Sequence, residues 1–234
     1  MRAAMGSLQK SVVSIAIFAV VETAAGQDTV ATPEACFYAS VNEKKTRPRG
    51  CRGDTLKLAQ SSRVLGAIEA LKLPSGRIKF EGCLEASFSA AAIGPDAARM
   101  TYVVYYPDTD ASVEQLLAPV LHELGHVFQI HAAGSAASLR SRYPLKQIEL
   151  GADFLSGVIS GSYLDGVSSN SFADSMQLLG RYWAYSEESH GSPRERAKAY
   201  RNGYFLKKAE FESEVVKAYE IFDDERFSRI EDAE

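Results

Sequence analysis

An α+β fold, with a small antiparallel sheet followed by a helical C-terminal part, is what the sequence predicts, and two changes of hydrophobic period predict it. Residues 77–106 alternate in short runs, and the chain from residue 112 onward repeats at helical intervals. At 234 residues it is long enough for one well-buried domain with additions. Hydrophobic residues at 46% and charged residues at 24%, with no low-complexity tract, make an ordinary globular composition. A formal charge of -4 is too mild to direct the chain to nucleic acid, so no such partner is expected.

In chain order, Arg2 and Lys10 precede the apolar run 11–21, which is too short to span a bilayer comfortably, and Ala24-Ala25-Gly26 follow it. This pattern predicts a cleaved secretory signal over residues 1–26 and a single domain over 27–234. The protein is then secreted or periplasmic, with no stable membrane span after cleavage. Cys36, Cys51 and Cys83 all follow the cleavage point. In an oxidising compartment one pair closes a loop, and the three possible pairings stay open. The basic run Lys44, Lys45, Arg47, Arg49, Arg52, broken by Pro48 and Gly50, reads as a solvated loop.

Leu56, Leu58, Val64, Leu65, Ile68 and Leu71 predict a helix over residues 55–73, ended by Pro74-Ser75-Gly76. Residues 77–83, 86–90 and 100–106 read as short antiparallel strands, with Gly94-Pro95 turning between the last two. An edge strand of such a sheet can hold an extended peptide as an added strand. The next helix starts either at Ser112, where Gln115 completes capping-box spacing, or at Ala118 with Pro119 at the first helical position. Leu117, Leu121, Leu124 and Phe128 mark its apolar stripe. Pro144 opens a further helix, residues 171–186 another, and a last helix follows Pro193 before a charged tail.

Chemistry concentrates at His122-Glu123-Leu124-Gly125-His126. Four residues are just over one helical turn, so His122 and His126 share a face and can aim at one ion. Glu123 lies about 100° round from His122, where it can reach a water on that ion without binding the ion itself. A hydrolytic zinc site uses three protein ligands and an open position. A third histidine in the extended spacing would stand at position 132 with Gly at 129; the chain has Ala132 and Gln129. His131 is nearly opposite the ligand face and is expected to be an ordinary surface or core histidine. The third ligand is therefore sought on the next helix, at Glu149. Asp153, one turn on, is placed to accept the remaining N–H of His122 or His126.

At these residues the chain resembles the gluzincins, in which a Glu on the following helix is the third ligand and an Asp supports a histidine. It is further similar to the neutral zinc metallopeptidase family of bacterial envelopes, whose patterns run His-Glu-x-Gly-His-x-x-Gln, Glu-Leu-x-Ala-Asp-x-x-x-Gly and His-Gly-Ser/Thr-x-x-Gln-Arg. The matching blocks are His122 to Gln129, Glu149-Leu150-Gly151-Ala152-Asp153 through Gly157, and His190-Gly191-Ser192-Pro193-Arg194-Glu195-Arg196, with Glu195 where the family has Gln. Tyr200 and Gly203-Tyr204 follow. The resemblance implies a zincin-like fold and an exported metallopeptidase with one zinc on His122, His126 and Glu149. It implies Glu123 as general base, a peptide or protein as substrate, and a second donor for the oxyanion. His190 is the candidate donor, with Tyr200 or Tyr204 behind it; a capping role at the helix after Pro193 is its rival. The alternative function is a catalytically inactive zinc-binding envelope scaffold or partner-binding protein.

Overall fold

The computed structural model describes residues 37–40, 47–178 and 190–206. The proposed signal segment, Cys36, the second half of the helix expected over 171–186 and the charged tail lie outside them. Among the described residues no helix is long and apolar enough to cross a membrane.

The fold is α+β. Four strands, β1 (Phe37–Ser40), β2 (Ile78–Cys83), β3 (Ser89–Ile93) and β4 (Thr101–Pro107), form one sheet in the order β1-β3-β4-β2. Only β3 and β4 are antiparallel; β1 runs parallel to β3 and β2 parallel to β4. The expected all-antiparallel sheet is corrected to a mixed one, and the reason is burial. Tyr102-Val103-Val104-Tyr105-Tyr106 is a continuous apolar run buried on both faces, so β4 takes a central position. Since β4 returns antiparallel beside β3, β2 can join only its other edge, and does so parallel. Alternate β4 residues serve two cores: Tyr102, Val104 and Tyr106 face the main one, Val103 and Tyr105 a smaller one with Ala91 and Cys83.

Cys83 pairs with Cys51, which settles one of the three possible bridges. Beside it, Arg52 N donates to Gly82 O at 2.9 Å and Gly82 N to Gly53 O at 2.8 Å. The C-terminal half of β2 is thus already paired on its outer side and offers no edge for peptide addition.

The helix expected over 55–73 is shorter, α1 (Ser62–Ala70). Asp54 explains its late start: its carboxylate accepts from Leu58 N at 2.8 Å and Ala59 N at 2.7 Å, holding a separate 3-10 turn. The motif helix α2 (Val113–Ala133) begins at Ser112, which forms a complete capping box with Gln115. Pro119 therefore lies inside it and cannot donate to Gln115 O. Ser175 Oγ, at 3.1 Å, supplies that bond instead. Every residue from Leu116 to Ile130 is buried, so the expected one-sided apolar stripe is corrected to a helix enclosed on all sides.

Around α2 stand α3 (Ala136–Arg142), α4 (Leu145–Ser162), α5 (Ser171–Leu178) and α6 (Pro193–Tyr204). Pro144 precedes α4 as expected, while α3 has no counterpart among the sequence expectations. Gly125 lets α2 approach α4 closely, because a Cβ there would meet Ala152 Cα at 3.1 Å. Lys146 near the start of α4 reaches Glu195 in α6 at 2.6 Å, and Glu195 also closes the Ser192 capping box. These two jobs account for Glu at position 195.

Candidate metal centre

His122 and His126 stand on α2 with ring centroids 4.6 Å apart and planes at 84°. Both are fully buried, as is Glu149 from α4. Glu149 Oε2 lies 3.4 Å from His122 Nε2 and 3.4 Å from His126 Nε2. These separations exceed the usual hydrogen-bond range of about 2.7–3.2 Å. Neither oxygen of Glu149 accepts a hydrogen bond among the described residues. His122, His126 and Glu149 form a buried group able to hold a metal ion.

The opposite side of each ring is anchored. His122 Nδ1 is 2.7 Å from Asp153 Oδ1. Asp153 in turn receives Arg196 of α6 through Nε at 2.8 Å and Nη2 at 2.9 Å, a two-pronged pair. Arg196 Nη2 also stands 3.4 Å from His122 Nδ1, but a guanidinium only donates, so the shorter contact to Asp153 decides that Nδ1 carries the proton. His126 Nδ1 meets Gln129 Oε1 at 2.8 Å. Both Nε2 atoms are thereby turned toward Glu149. Burial works against a charge on His122, yet Asp153 and Glu149 raise its pKa to about 9.

Glu123 is fully buried, and neither of its oxygens has a hydrogen-bond partner among the described residues. Burial pushes its carboxyl well above the ordinary range, the His122 charge opposes this, and Glu149 adds to it. Burial also opposes ionisation of Glu149, but the adjacent His126 and His122 rings hold it well below its ordinary range. His190, 1% exposed, faces the other oxygen of Glu149, its Nε2 3.8 Å from Oε1. Ser192, not His190, caps α6.

The structure thus brings Glu123, Asp153 and His190 to the group formed by His122, His126 and Glu149. It does not bring the tyrosine hydroxyls: Tyr200 OH donates to Ser168 O at 3.4 Å and Tyr204 OH to Val167 O at 2.9 Å, so neither backs His190. His131 leaves the site as expected and meets Tyr102 OH at 2.9 Å. Two members were given no role by sequence reasoning, Gln129 and Arg196, although Gln129 lies one turn beyond His126 and both fall in the quoted blocks.

Arg196 is the buried cation that balances Asp153. Arg196→Met leaves Asp153 Oδ2 buried without its donor, and a loss of about 3–5 kcal/mol in unfolding free energy is expected by denaturant titration. Adding Asp153→Asn to that variant should recover part of the loss.

Comparison of the chain with protein-family models, with curated proteins and with solved structures finds no match.

Proposed function

We propose that the chain is an exported, zinc-dependent metallopeptidase of the gluzincin type, with a zincin-like fold and similar to the neutral zinc metallopeptidase family. The observation that carries the reading is the 3.4 Å spacing of Glu149 Oε2 from both histidine Nε2 atoms. Ligands about 2.0–2.1 Å from a tetrahedral zinc stand about 3.3–3.4 Å apart, so the two separations from Glu149 already match a zinc site's edge length. The donor set, two imidazoles that would give up their Nε2 protons on binding the ion and one carboxylate, leaves a fourth position for water or substrate.

When bound, the ion supplies Lewis acidity, lowering the pKa of water toward about 7 and polarising a carbonyl. His122, His126 and Glu149 fix where that acidity acts. Glu123 shares their helix, contributes no ligand to the set, and has a carboxyl that burial makes ready to take a proton. It accepts the proton of the attacking water and delivers it to the leaving amine. His190, beyond the second oxygen of Glu149, is the donor assigned to the developing oxyanion.

A second reading has its own support. Every one of these side chains is at most 1% exposed, so a peptide reaches Glu123 only after the covering surface opens. A zinc-binding scaffold without a working cleft has no such requirement. Metal analysis of the purified chain and digestion of an unbiased peptide library separate the readings. One zinc per chain with chelator-sensitive cleavage is expected; folded protein without zinc sinks both readings, and zinc without cleavage leaves the scaffold.

A further inference from the structure

The two histidines are anchored by unlike means. Asp153 and Arg196 hold His122 with charges, whereas a neutral amide holds His126. Gln129 is fully buried and uses both ends of that amide: Oε1 stands 2.8 Å from His126 Nδ1, and Nε2 donates at 2.9 Å to Ile148 O. Ile148 directly precedes Glu149, so one side chain ties a histidine of α2 to the backbone that carries the carboxylate of α4.

The direction of the bonds follows without choice. A backbone carbonyl only accepts, so the amide nitrogen must face Ile148 and the amide oxygen must face His126. An oxygen only accepts as well, so His126 Nδ1 carries a proton and Nε2, 3.4 Å from Glu149 Oε2, is the nitrogen left to ligate. The Ile148 carbonyl therefore sets the tautomer of His126 through Gln129.

We propose that Gln129 is a positioning residue for the metal centre: its oxygen fixes the ligating tautomer of His126 and its nitrogen fixes α4, with Glu149, at ligand distance. The proposal rests on the metallopeptidase reading only through the ion. A shorter polar side chain cannot serve both partners, and an apolar one serves neither.

The test compares Gln129→Glu with Gln129→Met in the full chain, using zinc affinity by competition with a chromogenic chelator. Both variants remove the amide donor to Ile148, but the Glu variant keeps an acceptor for His126. Zinc affinity is expected to fall about 10- to 100-fold in Gln129→Met, which loses both ties, and by a smaller factor in Gln129→Glu, which loses only the tie to Ile148. Nitrogen-15 shifts of His126 in chelator-treated protein should show the Nδ1–H tautomer in the parent and the Glu variant, and loss of that preference in the Met variant. Gln129→Asn, one methylene short of spanning both partners, takes the place of the Met variant if that one does not fold. Parent-like zinc affinity and an unchanged tautomer in Gln129→Met would overturn the proposal. A parent chain that binds no zinc overturns the metallopeptidase reading instead, and the tautomer shifts then decide the role of Gln129.

Discussion

Glu123→Gln is expected to abolish peptide hydrolysis, by about 100- to 10,000-fold or more, while zinc content and thermal midpoint stay at the parent values. The expectation rests on the position of Glu123. It lies about 100° round α2 from His122, beside the set formed by His122, His126 and Glu149 but outside it. Neither of its oxygens has a hydrogen-bond partner among the described residues, so the isosteric amide takes an acceptor away from no neighbour. What disappears is the capacity to take a proton. Metal analysis, a melting curve and a peptide assay on the same preparation check all three quantities. Hydrolysis at the parent rate would remove Glu123 as the base, and lost zinc would show that it helps to hold the ion.

The grouping of His122, His126 and Glu149 was legible because its determinants are local. His122 and His126 announce themselves by spacing on one helix, and the lack of a histidine at position 132 moves the search to Glu149 and, one turn on, Asp153. Gln129 and Arg196 were harder for different reasons. The distant partner of Gln129 is a backbone carbonyl, which leaves no trace in residue identity. Arg196 is 43 residues from Asp153, and nothing in either sequence neighbourhood indicates that α6 lies along α4. The tyrosines misled because a hydroxyl near a histidine in sequence found nearer carbonyls, at Ser168 and Val167.

Fold legibility divides along the same line. Alternation located β2 and β4 but set β3 three residues early, at 86–90 instead of Ser89–Ile93, and the Ser112–Gln115 pair located the start of α2. Strand order was not accessible, because it depends on which strand is buried on both faces, and single-strand alternation reports one face at a time. The enclosure of α2 was hidden by its polar residues: the buried His122, Glu123, His126 and Gln129 read as a polar face until Glu149 and its neighbours are seen to cover them.

Close contact of α4 with α6 is what lets Arg196 reach the site, and it makes Gly157 and Gly203 the positions of largest expected effect on stability. A Cβ at Gly157 would lie 1.9 Å from Tyr200 O, one at Gly161 2.0 Å from Tyr204 O, and one at Gly203 2.0 Å from Phe154 O. All three obstacles are backbone, so no rotamer change relieves them and the helices must separate. Asp153, Gly157 and Gly161 recur every four residues on α4, and Arg196, Tyr200 and Tyr204 do the same on α6. The Asp153–Arg196 pair is therefore the next rung of the seam that the glycines allow. Gly203→Ala is expected to lower unfolding free energy by about 3 kcal/mol or more and the thermal midpoint by about 6–12 °C. It should weaken zinc binding as well, since a shift of α6 lengthens the bonds that orient His122 through Asp153. Gly76→Ala is the control, because a Cβ there meets nothing within 4 Å. A Gly203→Ala chain as stable as that control would mean that the α4–α6 spacing is not tight, whereas a destabilised chain with parent zinc affinity would show that His122 keeps its orientation without Arg196 in place.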